Sequence, residues 1–170
     1  DWFEGPDGGS WFKIPAISAE GSTLAVARRD CSTGRETVEI RDAATGEVRA
    51  QIRSDPADPA CQLALSADGS RLFVRPNGRA VRVHDASTGA PLGELVHPGR
   101  PYVTAVAVHP RGPVACARTD GTVTLWDAEA CQPLQVLDWK AGRLASVAFS
   151  PDGSLAAAGT QDGKVVVWDV

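Results

Sequence analysis

The chain has 170 residues, 43% of them hydrophobic and 22% charged, the make-up of one ordinary globular domain with a sizeable core. A formal net charge of −4 argues against a surface built for nucleic acid, and no apolar run nears the roughly 18 residues that a membrane helix needs. Methionine is absent, no secretory leader pattern is found, and lysine occurs only at 13, 140 and 164 among 17 basic residues, which predicts a piece of a longer cytoplasmic protein from a GC-rich, bacterial genome.

In chain order, residues 1–11 read as the end of a preceding unit and a link, since Asp1 to Phe3 echo Asp138 to Lys140. A first unit, 12–54, carries AISAEGS, then LAVA, VEI and, after DAATG, VRAQI. The second, 60–97, repeats this as LALSADGS, LFV, VRV, DASTG and PLGELV. The third, 102–138, reads VAVHPRGP, VACA, VTLW, DAEAC and PLQVL. The fourth, 144–170, reads VAFSPDGS, LAAA and VVVWDV, with no fourth run. Apolar runs this short, set between glycine and aspartate turns, predict strands rather than helices.

The spacing identifies a repeat. Turn glycines Gly21, Gly69, Gly112 and Gly153 lie 48, 43 and 41 residues apart, and Asp42, Asp85, Asp127 and Asp169 lie 43, 42 and 42 apart. Each unit is therefore a meander of four strands, a to d, which cannot bury both faces unless units pack on one another. Repetition around an axis gives an all-β β-propeller of about four consecutive four-stranded antiparallel blades, the last lacking its outer strand.

FSPDGSLAAAGTQDGKVVVWD in the fourth copy and ARTDGTVTLWD in the third resemble the WD-repeat family, and the likeness runs through nearly the whole chain. In that family an Asp in the b–c turn, a Trp on c, a Ser or Thr on b and a His before a form a hydrogen-bonded structural tetrad. The resemblance assigns Asp120 and Trp126 to one tetrad, with His97 closing it, and Asp162 and Trp168 to another. The hydroxyl position falls on Cys116 and Ala158, and Arg41 and His84 replace the Trp in the first two copies. The family's usual ring of about seven blades implies further blades, supplied by the parent chain or, alternatively, by a second copy.

No reactive set converges: His84, His97 and His109 occupy strand, tetrad and turn positions, and no nucleophile elbow, zinc helix or phosphate loop occurs. The Asp-Gly pairs at Asp68, Asp120, Asp152 and Asp162 read as turn chemistry. No enzyme activity, metal or cofactor is expected. The four cysteines form no C-x-x-C pair; they are free thiols, or else Cys31 and Cys61, on one face, form a bridge.

The b–c turns and d–a links share one end of a propeller, the top; the other turns share the bottom. The top loops are net basic and the bottom turns net acidic. Arg29, Arg75, Arg79, Arg100, Tyr102, Trp139 and Lys140, with Trp11 beside them, are the expected binding residues, being of the types that anchor interfaces. The expected function is a non-catalytic protein–protein interaction scaffold taking an acidic surface or peptide. The alternative is a sensor or substrate-selecting propeller attached to a kinase, protease or nucleotide-hydrolysing domain elsewhere in the parent chain.

Overall fold

The computed structural model describes residues 10–170 apart from 31, 98 and 100, with side chains from residue 15 onward. All the regular structure described is β. Blade 1 comprises β1 (Ser10–Ile17), β2 (Thr23–Asp30), β3 (Glu36–Asp42) and β4 (Val48–Arg53). Blade 2 comprises β5 (Ala60–Leu65), β6 (Arg71–Pro76), β7 (Ala80–Asp85) and β8 (Pro91–Val96). Blade 3 comprises β9 (Val103–Val108), β10 (Val114–Arg118), β11 (Thr122–Asp127) and β12 (Gln132–Asp138). Blade 4 comprises β13 (Leu144–Phe149), β14 (Leu155–Thr160) and β15 (Val165–Asp169). Each is an antiparallel meander in chain order. Among the described residues, no helix is long and apolar enough to cross a membrane.

The first strands of successive blades lie side by side, which sets them innermost, while β12 is exposed along almost its whole length at the rim. Alternation along each strand then sorts side chains between neighbouring blades. Val114 and Cys116 of β10 pack towards blade 2 with Phe73, Val81 and Leu95. Ala115 and Ala117, on the other face, pack towards blade 4 with Leu144, Val147 and Ala158. That is why β10 is buried throughout although it sits in the middle of a single sheet.

The aspartates that keep time in the sequence close the c–d turns. Oδ1 of Asp42 accepts the backbone N–H groups of Ala44 and Thr45, and Asp85 and Asp127 repeat the pattern two and three residues on. In all three complete blades the c–d register slips at the residue just before that Asp, at Arg41, His84 and Trp126. A bulge there bends strand d and strengthens the twist.

The a–b turns lock blades together at the bottom. Arg111 N–H donates to His109 Nδ1 at 3.0 Å, so the ring proton sits on Nε2 and is donated to the Gly153 carbonyl of the next blade at 3.0 Å. Gly153 has φ +78, and a Cβ there would lie 2.3 Å from His109 Nε2, so only glycine fits.

Candidate binding face

The top is built from loops that hydrogen-bond one another across blades. Tyr102 N–H donates to Thr119 Oγ1 at 3.0 Å and Thr119 N–H donates to the Tyr102 carbonyl at 3.0 Å, which fastens the 97–102 link to the b–c turn of blade 3. The same link is tied to the b–c turn of blade 2 by His97 N–H to the Arg79 carbonyl and Val103 N–H to the Gly78 carbonyl. Gln161 N–H donates to the Arg143 carbonyl at 2.9 Å, which fixes the next link in the same manner. Pro101, Tyr102, Thr119, Asp120 and Arg143 line a shallow depression between these loops.

The expected binding residues divide. Arg79 is exposed and lies over the half-exposed Tyr102 ring, 5.5 Å from its centroid, a cation–π contact. Arg29 is exposed at the top end of β2. Lys140 is exposed but ion-pairs with Asp138, which lowers the Asp138 pKa and raises that of Lys140. Arg100 lies outside the described residues.

Two expected binding residues make contacts between blades. Arg75 is drawn into the blade 2–blade 3 junction: Nε donates to Gln62 Oε1 at 3.2 Å and Nη1 to the Val103 carbonyl at 3.2 Å. Gln62 completes that junction by donating Nε2–H to the Val106 carbonyl and accepting Val106 N–H. Trp139 packs on Trp168 with ring centroids 4.6 Å apart and planes tilted by 38°, so its face covers a neighbouring blade. Trp11 lies in β1, in register with Arg29, rather than in a link.

The residues expected to form the tetrads make the following contacts. His97 meets Trp126 edge to face at 4.9 Å, but Nδ1 and Nε2 of His97 and Nε1 of Trp126 are buried without a hydrogen-bond partner among the described residues. Cys116 stands where a hydroxyl would relay the bonds, and sulfur is a weak acceptor. Burial pushes its thiol pKa up to about 12. Asp120 instead accepts Thr122 N–H and Oγ1–H and sits 3.4 Å from the Arg118 guanidinium. In blade 4, Asp162 accepts the Thr160 hydroxyl and pairs with Lys164, which hold its pKa near 2. Trp168 Nε1 has no hydrogen-bond partner among the described residues, and Trp139 stands against Trp168 where His97 stands against Trp126.

Arg143 and Thr119 were not singled out from the sequence. The available signal was positional: Arg143 immediately precedes β13 as Tyr102 immediately precedes β9. Cys61 and Cys116 carry free thiols, whereas Cys31 lies outside the described residues. Among the described residues, no group of three or more His, Cys, Asp or Glu side chains is placed to hold a metal ion.

Stacked four-stranded meanders with loop-built ends define a β-propeller. Residues 89–127 and 131–169 match the family model described as WD domain, G-beta repeat, so the second half of the chain carries WD repeats. It is similar to telomerase Cajal body protein 1 of Mus musculus, 30% identical over 94% of this chain and 31% of that protein. An uncharacterized WD repeat-containing protein of Synechocystis sp. is 33% identical over 81% of this chain and 38% of its own length. The chain thus spans about a third of these relatives. Among solved structures, the Cps50 (Swd1) β-propeller domain of Myceliophteria thermophila superposes with a TM-score of 0.74 at 18% identity, over 96% of this chain and 52% of that one. A chain of the mitotic checkpoint complex does so with a TM-score of 0.75 at 21% identity, over 92% and 46%. The relatives are mostly eukaryotic with one cyanobacterial, so the expected bacterial origin keeps only its compositional basis.

Proposed function

We propose that this propeller is a non-catalytic platform that holds partner proteins on its top face. The observation that carries the reading is the top itself: exposed Arg79, Tyr102 and Arg143 stand on loops whose backbones are already cross-braced, with exposed Arg29 at the top end of β2. A surface ordered in advance loses little conformational entropy on binding, and Tyr and Arg are the side chains that carry interface energy. A structural neighbour taken from a checkpoint complex is consistent with a propeller serving inside an assembly.

Replacing Arg29, Arg79, Tyr102 and Arg143 together in the full chain should abolish partner capture in a cross-linking experiment, with the circular dichroism spectrum unchanged. A companion variant at the exposed bottom residues Glu47, Arg111 and Glu129 should capture partners normally. Capture that survives the top substitutions, or is lost equally in both variants, overturns the proposal.

A further inference from the structure

We infer that the depression beside Tyr102 is a docking site for a short acidic peptide segment, with carboxylates engaging Arg79 and Arg143 and an apolar residue lying on Pro101 and Tyr102. This rests on the platform reading above and names both the place and the chemistry of the partner.

Charge compensation locates the site. Among the described residues, the other charged groups around the 97–102 and 139–143 links are already paired: Lys140 with Asp138, and Asp120 with Arg118. The carboxylate of Asp120 is further occupied by the backbone N–H and hydroxyl of Thr122. Arg79 and Arg143 make no ion pair with any described residue, so the depression and its rim keep a positive balance on a chain of net charge −4. Guanidinium groups left free on braced backbone are matched by planar carboxylates, which accept two parallel N–H bonds.

Shape favours a peptide over a nucleic acid. The depression is short, bounded on one side by the close approach of Gly121 to the Gly142 carbonyl, where a Cβ on Gly121 would lie 2.7 Å from that oxygen. One aromatic face, Tyr102, is available, and one side of it is occupied by Arg79. Single-stranded nucleic acid needs a basic groove that tracks its backbone and several stacking faces. An extended peptide needs only one apolar rest between two acidic side chains.

The test uses the full chain and three fluorescently labelled probes of equal net charge: a Glu-Leu-Glu-Pro repeat peptide, a polyphosphate and a single-stranded oligonucleotide. Anisotropy titrations should show the peptide binding most tightly. Its affinity should fall at least tenfold in Arg79→Ala and in Arg143→Ala, fall likewise with added salt, and stay within twofold of the original in the bottom variant Arg111→Ala. Peptide binding that ignores Arg79 and Arg143, or tighter binding of polyphosphate or oligonucleotide, overturns the assignment. If the titrations fail in either way while partner capture is still lost in the fourfold top variant, the acidic-peptide inference has failed and the platform reading stands. If capture survives there, the platform reading has failed as well.

Discussion

His97 shows what one substitution in a hydrogen-bonded set does. With Cys116 in the hydroxyl position, the imidazole is 3% exposed and neither nitrogen is bonded. Burial lowers its pKa from 6.5 to about 4; the Arg118 guanidinium adds to the effect and Asp120 opposes it. The unfolded chain takes up a proton below about pH 6.5 that the folded chain refuses, so stability falls between about pH 6.5 and pH 4 and is level above that window. At 1.36 kcal/mol per pKa unit the full loss is about 3 kcal/mol. His84, whose pKa is also lowered by burial, acts in the same direction. Urea midpoints of His97→Phe, which retains a ring against Trp126, should therefore change less steeply across that window; identical slopes would refute this account. The turn carboxylates titrate elsewhere. Hydroxyls of Ser32, Ser87 and Ser150 hold Asp30, Asp85 and Asp152 near 2, so their contribution, present above about 3.8, is lost only as the pH falls through about 2.

At the scale of elements, junctions between blades use polar as well as apolar contacts. The carboxamide of Gln62 pairs with both backbone groups of Val106, imitating one rung of a sheet ladder between β5 and β9, two strands that share no sheet. Arg75 braces the same amide. Gln62→Leu has a similar volume but strands the N–H and C=O of a residue only 4% exposed. Orphaned buried polar groups cost about 1–3 kcal/mol each, so a loss of about 2–4 kcal/mol is expected in chemical denaturation. A loss below about 1 kcal/mol would mean that the rung contributes little.

The same element shows why some assignments were open to sequence reading and others were not. Asp42 and Asp85 bond their own turns, so their partners lie within three residues and the motif alone reveals them. Arg75 and Trp139 find partners 28 and 29 residues away on neighbouring blades, at Val103 and Trp168. An Arg or Trp in a loop looks the same in sequence whether it faces solvent or the next blade.

At the scale of the molecule, the outward faces of the first and fourth blades differ. Blade 1 turns Glu39, 2% exposed and ion-paired with Arg28 and Arg41, away from blade 2. Blade 4 turns Leu155, Val165 and Val167 away from blade 3, at 42%, 67% and 60% exposure, beside the free edge of β15. Packing one copy's blade 4 on another copy's blade 1 would press aliphatic side chains on an ion cluster, which disfavours head-to-tail pairing of copies. Two blade 4 faces are compatible with each other, because apolar sheet faces and open edges both promote association. Sedimentation of the 170-residue chain should show association rising with concentration, and Val165→Lys with Val167→Lys should restore a monomer. A monomer at all concentrations before substitution would show that the face is tolerated in water.

The repeat, the strands, the turns and the propeller class were determined by sequence alone, because each rests on spacing and on bonds between near neighbours. Which loop residues face solvent, which ring covers Trp168, and that His97 stacks without hydrogen bonds were decided only by tertiary structure. Those outcomes depend on what an adjacent blade brings to within about 5 Å, and that proximity is created by packing whole sheets around an axis.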